Sequence, residues 1–444
     1  MANINKEILN LALPSIVSNI TVPLLGLVDL TIVGHIGNEN YIGAIAIGSM
    51  IFNIMYWILG FLRMGTSGMT SQAYGKTAWD ESLRVLFRAL TIGISMGFTF
   101  VLGQRFLELL MLKAMNTPES SIDFVRAYFR IAIYGAPAML GLYGLTGWFI
   151  GMQNTKIPMM IAILQNIINI LASLCFVLFM GWKIEGVATG TLIAQWSGFI
   201  LALYFVKSGI KNGQLIPLEA HVSATWTLFS STLKHIESWK KFFVVNRDIF
   251  FRTLCLVAVN MFFTSAGGKQ GAMMLSVNTL LMTMFTLFSY FMDGFAYAGE
   301  ALSGKYYGAN DKVGFSKMKR QLFKFGVLMV VLFTFIYVVG GVDILRLLTD
   351  EQRVIAAASP YLIWVYLIPL AGVAAFVYDG IFIGITETKG MLVTSVIAML
   401  FFFVFYFIAE PYWGNNALWI AFLMFLALRG LFQYFWAKQY IIHS

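Results

Sequence analysis

Asp29 is the residue best able to do chemistry, because it stands in an otherwise apolar run and an ionisable side chain inside such a run is a candidate for binding a cation or a proton. Helical spacing back from Asp29 passes Gly26 or Leu25, Val22, Ser18 and Ser15, a stripe of small and polar residues with Pro14 at its base. The plainer alternative is that the helix ends near Gly34 and Asp29 simply reaches interfacial water. Further on, Asn166, Asn169 and Ser173 share one helical face, and Thr189 and Thr191 follow the entry Glu185-Gly186-Val187-Ala188. Such amides also serve as glue between helices.

Later acids inside apolar runs are Asp293, Glu300 and Asp379. Glu300, five residues before Lys305, is expected to form a structural pair there. Asp293 and Asp379 each precede a glycine that would allow close helix approach, with substrate binding, gating or structure as possible roles. Arg63, Arg252 and Arg429 are the bases within the runs, and Arg252 is expected to join Arg247 and Asp248 in an ion-pair network. Catalytic signatures are missing: the sequence has no HExxH, no GxSxG and no phosphate-binding loop. His35, His221, His235 and His443 fall outside the expected deep core. The chain is therefore expected not to be an enzyme and to bind no cofactor. Any energy would come from an ion gradient, with the carboxylates as coupling candidates.

The elements that must position these residues are membrane helices. At 59% hydrophobic and 11% charged, the 444-residue chain is far from a soluble composition. Its apolar runs of about 20 residues match helices crossing a hydrocarbon core of about 30 Å, not barrel strands. Twelve spans are expected, near 8–31, 41–64, 87–111, 124–150, 157–180, 187–206, 247–267, 272–299, 321–341, 358–385, 391–409 and 416–438. An even number puts both termini on one side. Lys and Arg are enriched about twofold in the termini and the loops after even-numbered spans, so both termini are expected in the cytoplasm of a cell or bacterial inner membrane. This distribution explains the net charge of +9 without nucleic acid. The first span carries Pro14 and Asp29 and no cleavage signature, and is expected to be retained. Cys175 and Cys255 are expected to be buried apolar thiols.

The polar stretch 208–244 divides the chain into an N-lobe, 1–207 with spans 1–6, and a C-lobe, 245–444 with spans 7–12. It is expected to be a cytoplasmic linker with near-helical apolar spacing. The halves repeat: Ile150-Gly151-Met152-Gln153-Asn154-Thr155-Lys156 matches Ile383-Gly384-Ile385-Thr386-Glu387-Thr388-Lys389 at an offset of 233. Nearly the same offset relates the ends of spans 2 and 8, and Pro137 to Pro369. Two six-span halves in the same orientation are a transporter arrangement, with substrate bound between lobes.

With these features, Pro14 and Asp29 in span 1, and the Asn169/Thr191 pair, the whole chain resembles the MATE (multidrug and toxic compound extrusion) transporters. Val245-Asn246-Arg247-Asp248-Ile249-Phe250-Phe251-Arg252-Thr253-Leu254 and the more specific Asp293-Gly294-Phe295-Ala296-Tyr297-Ala298-Gly299-Glu300-Ala301-Leu302-Ser303-Gly304 look like its DinF branch. The resemblance implies a V-shaped, all-α, two-lobe antiporter exporting small organic cations or amphiphiles in exchange for H⁺ or Na⁺. It also implies a coupling-ion site built from Asp29, Asn169 and Thr191, and a helix bend at Pro14. Where many relatives carry a second acid, this chain has Ser173. A single carboxylate with neutral oxygens favours a proton, with Na⁺ at Asp29, Asn169 and Thr191 as the other possibility. The expected state is a monomer. The rival from another class is a lipid-linked oligosaccharide flippase, which would need Arg63, Arg252 and Arg429 open to phosphates. An ion channel, the second rival, predicts uncoupled conductance.

Overall fold

A computed structural model of the chain describes residues 4–34, 39–115, 119–220, 225–234 and 236–440, and for a few helical residues, Asp29 among them, the backbone alone. The described residues form helices and short turns, as is required where no water satisfies backbone N–H and C=O groups. Span 1 is α1 (Ile4–Gly34). Span 2 is α2 (Glu39–Leu59) and α3 (Phe61–Gly75), and span 3 is α4 (Trp79–Leu102), which leads into the short α5 (Gln104–Ala114). Span 4 is α6 (Glu119–Ala132) and α7 (Ala136–Gly151), joined by a 3₁₀ turn at Ile133–Gly135. Spans 5 and 6 are α8 (Lys156–Leu174) and α9 (Ile184–Lys211), and the linker contains α10 (Thr225–Lys234). Then come α11 (Ile236–Lys269), α12 (Ala272–Gly308) and α13 (Lys312–Leu348) as spans 7 to 9. Span 10 is α14 (Gln352–Ala358) with α15 (Leu362–Gly384), and α16 (Thr388–Trp413) and α17 (Asn415–Tyr440) complete the set. All twelve expected spans fall on helices but for single turn residues such as Gly60 and Gly103, and ten stretches of described residues are long and apolar enough to cross a bilayer.

The helices outrun the apolar runs where small polar residues are buried against a neighbour. Span 2 was expected to end near residue 64, yet α3 continues to Gly75 with Thr66, Ser67, Thr70, Ser71 and Gln72 all buried. The Thr66, Ser67 and Ser71 hydroxyls are satisfied along their own helix, as in Thr66 Oγ1 donating to the Leu62 carbonyl at 2.6 Å. The helix can therefore lie against α7 backbone to backbone, and a Cβ added at Gly147 would sit 2.3 Å from the Arg63 carbonyl oxygen.

The same crossing recurs one repeat later. A Cβ at Gly380 would lie 2.4 Å from the Ala296 carbonyl oxygen, so α15 packs on α12 as α7 packs on α3. Among the described residues, the four non-glycine residues with left-handed backbone are Thr77, Gln153, Asn310 and Thr386, two pairs each separated by 233 positions. Their turns share one hydrogen-bond pattern: Ala78 N–H to Ala73 O at 2.9 Å is repeated by Asp311 N–H to Tyr306 O at 2.9 Å. Left-handed backbone is costly for residues with a Cβ, so two such turns preserved in register mark one folding unit used twice. Because the atom facing Gly380 is a backbone oxygen that cannot swing aside, Gly380→Ala should destabilise the protein by about 1–3 kcal/mol. Thermal unfolding in detergent would read this, and an unchanged midpoint would refute the close approach.

The chain divides into two compact units, Val17–Asn246 and Met1–Ile16 with Arg247–Ser444. The division falls inside α1, two residues after Pro14. Residues 208–244 belong to the Val17–Asn246 unit because Leu215, Ile216 and Leu228 are buried in one apolar cluster with Leu83, Leu86 and Trp148, and Phe229 stacks edge-on against Phe87 at 5.7 Å.

Candidate functional site

Asn166, Asn169 and Ser173 recur at three- and four-residue spacing, so α8 presents them on one side. Asn166 Nδ2 donates to the Thr21 carbonyl at 2.9 Å and ties α8 to α1. One turn on, Asn169 Nδ2 donates to Thr191 Oγ1 at 3.0 Å, and Thr191 Oγ1 donates to the Val187 carbonyl at 3.1 Å. One Asn169 N–H and the Thr191 hydroxyl are engaged in this relay, and Asn169 Oδ1 is left to accept. Asn169 and Ser173 are fully buried, and neither Asn169 Oδ1 nor Ser173 Oγ has a hydrogen-bond partner among the described residues. Ser173 is held beside Thr191 through Gly190, where an added Cβ would lie 2.3 Å from Ser173 Oγ. A buried unsatisfied oxygen costs about 1–3 kcal/mol, so the site suits an arriving O–H donor or cation. Two residues past Ser173 the helix loosens into a π turn, Cys175–Phe179.

Three of the residues expected to form the coupling-ion site, Asn169, Ser173 and Thr191, are thus brought together. The fourth, Asp29, has a side chain outside the described residues. Thr189 is not part of the group, because its hydroxyl donates to the Glu185 carbonyl at 2.7 Å on an exposed face. Pro14 lies buried within an unbroken α1. It removes one N–H from the helix ladder, and the next residue, Ser15, donates to the Leu11 carbonyl at 2.8 Å, a back-bond that favours bending.

The other unit buries a charged cluster. Asp379 on α15 is bound by Arg252 of α11, by Gln433 Nε2 at 2.6 Å, and by Arg429 Nη2 at 3.6 Å, the last two from α17. All four side chains are buried, and Asp293 acts electrostatically on Arg429. Two guanidinium groups and an amide from two other helices converge on this one carboxylate, which makes Asp379 an interhelical tie.

Several expected pairings are corrected. Arg252 does not join Arg247 and Asp248, which pair with each other at 2.8 Å; its guanidinium binds Asp379 of α15 instead. Asp248 is instead completed by Thr388 Oγ1 at 3.3 Å. Lys305 does not pair with Glu300 but with Glu7 at 3.2 Å, and Tyr306 donates to the same carboxylate at 3.2 Å. Cys175 is exposed and Cys255 buried, both free thiols. All four histidines lie outside the described residues. Gln433 and Glu7 were missed; the only local signal for Gln433 was its position one helical turn after Arg429.

The MatE family model matches residues 14–175 and 249–408, one segment in each repeat. DNA damage-inducible protein F of Escherichia coli (strain K12) is 33% identical over 431 residues, covering 96% of this chain and 90% of its own. Among solved structures, a MATE protein in the bent conformation superposes with a TM-score of 0.84 at 17% identity, over 100% of this chain and 96% of that one. The outward-facing conformation of a multidrug resistance MATE family transporter of the MOP superfamily gives 0.80 at 16% identity, over 99% and 96%. At these identities the structures establish the shared fold.

Proposed function

The chain belongs to the MatE family and is a membrane transporter, not an enzyme, and we propose from this that it is a secondary active antiporter exporting small organic cations or amphiphiles in exchange for protons. The observation carrying the reading is the buried pair of unpartnered oxygens, Asn169 Oδ1 and Ser173 Oγ, beside the helix that contains Asp29. A protonated Asp29 would supply the O–H that Asn169 Oδ1 can only accept. Once ionised, it would need the Ser173 hydroxyl or water instead. Na⁺ is the alternative coupling ion, bound by Asp29, Asn169 and Thr191. One carboxylate among neutral oxygens favours the proton.

In the proposed cycle Asp29 takes a proton from the outer side, α1 bends near Pro14, the cavity of the first lobe narrows and substrate leaves; Asp29 then releases its proton inward. Coupling requires that proton and substrate bind unequally to the two facing states. Both termini are placed in the cytoplasm by the Lys and Arg bias, the protein acts as a monomer, and its two six-span halves are joined by residues 208–244, which pack on the first half. The oligosaccharide-lipid flippase is not favoured, since Arg252 and Arg429 are held on Asp379 and Arg63 is buried.

Liposomes containing the purified protein and preloaded with a fluorescent organic cation separate the coupling ions. An inward pH gradient should drive efflux well above protein-free liposomes, and an inward Na⁺ gradient at equal pH should not. Efflux driven by Na⁺ alone would replace the proton with Na⁺. Conductance without substrate exchange would make the protein a channel.

A further inference from the structure

At the end of the unit where α12 turns into α13 lies a cavity of 340 Å³. Its wall includes Tyr307 from α12, Lys312, Ser316 and Lys319 from α13, and Tyr378 from α15. Because the two halves repeat at 233 positions, each of these residues has a counterpart in the other unit: Tyr307 is matched by another tyrosine, Tyr74, and the other four counterparts are apolar. Trp79 stands for Lys312, Leu83 for Ser316, Leu86 for Lys319 and Leu145 for Tyr378. Ile381, also on the wall, stands where the first repeat has Trp148, whose fully buried indole donates to the Ser82 carbonyl at 3.1 Å and to Ser82 Oγ at 2.9 Å. There the space is filled by the indole and sealed by Leu215, Ile216 and Leu228. The same position of one duplicated fold is therefore plugged in one unit, and open with lysines and hydroxyls in the other.

We propose that this cavity binds the phosphate-bearing head group of an anionic phospholipid, with the Lys312 and Lys319 ammonium groups facing the phosphate and Ser316 and Tyr307 donating to it. The neighbouring charges agree. Asp311, the one acid on the wall, accepts the Gly314 N–H at 2.8 Å as a helix cap, and Lys305 is paired with Glu7. Lys317, Arg320 and Lys324 follow on the same helix and add attraction for an anionic surface. The choice of a lipid over a free anion rests on the orientation proposed above, which sets this end of the unit at the inner leaflet.

Native mass spectrometry of the full-length protein, titrated with phosphatidylglycerol, phosphatidylcholine or inorganic phosphate, tests the assignment. Phosphatidylglycerol should be retained at least about tenfold more tightly than phosphatidylcholine. The Lys312→Gln/Lys319→Gln variant should weaken retention about tenfold to thirtyfold. Lys317→Gln/Arg320→Gln, changed outside the cavity, should weaken it less than about threefold. Ser316→Leu/Lys319→Leu, which copies Leu83 and Leu86 of the first repeat, should abolish retention with an undiminished thermal midpoint. Full retention by that variant, or equal loss in the Lys317/Arg320 variant, would overturn the site. Inorganic phosphate binding as tightly as phosphatidylglycerol would overturn the lipid. No ion gradient enters the measurement, so its failure leaves the transport reading standing, and loss of transport leaves the lipid site standing.

Discussion

Asp29→Asn should reduce pH-driven efflux to the leak rate of protein-free liposomes while leaving the protein folded. The substitution keeps the shape of a protonated carboxyl and supplies an N–H that Asn169 Oδ1, buried and without a partner among the described residues, can accept. The site is then held in its loaded form and has nothing to release inward, so alternation stops after one half of the cycle. Asp29→Leu separates loss of the proton from loss of the hydrogen bond. It also stops transport, but it leaves the Asn169 oxygen unsatisfied and should lower stability by about 1–3 kcal/mol relative to the Asn variant. Efflux and thermal unfolding measured on both variants distinguish the two effects. Wild-type pH-driven efflux by Asp29→Asn would move the coupling site elsewhere. The next carboxylate to substitute would be Asp293, since Asp379 is already clamped between two guanidinium groups.

The second large effect is on stability. Asp379→Asn leaves Arg252 and Arg429 buried near each other without their shared counter-charge, and removal of one partner from a buried pair costs about 3–5 kcal/mol. Arg252→Gln should cost less, because Arg429 remains on the carboxylate. Arg252→Gln/Asp379→Asn should be more stable than Asp379→Asn alone, since the second change removes one of the two stranded charges. Unfolding midpoints in detergent for the three variants form the cycle that isolates the coupling. Additive losses in the double variant would show that Arg252 and Asp379 do not act on each other. The double variant, if folded, should still carry out pH-driven efflux, because proton coupling is proposed at α1, α8 and α9.

The parts of the fold that were legible in the sequence are those dictated by local rules. Asn169 and Ser173 are four apart, so one helix had to present them together, and Thr191 met them because span 6 follows span 5 directly. The repeat was visible in Ile150–Lys156 and Ile383–Lys389, and its 233-residue register reappears in the left-handed turns at Thr77 and Asn310. Span 2 was expected to end early because the buried stretch after Arg63 is rich in glycine, serine and threonine, whose burial depends on α7 and not on their own hydropathy.

Arg252 shows where local rules stop. Helical periodicity reports which side of α11 it occupies, but its partner lies 127 residues away on α15. Glu7 and Lys305, 298 residues apart, are joined for the same reason, that two helices happen to cross there. The sequence by itself determined the membrane, the twelve helices, the duplication and the amide-hydroxyl face of α8, because a bilayer imposes length and apolarity on each span and each helix fixes its own faces. Only the tertiary structure decided which charges neutralise one another and which of two equivalent cavities stays open. Those outcomes depend on side chains from separate helices meeting in space, and no spacing along one chain segment encodes that meeting.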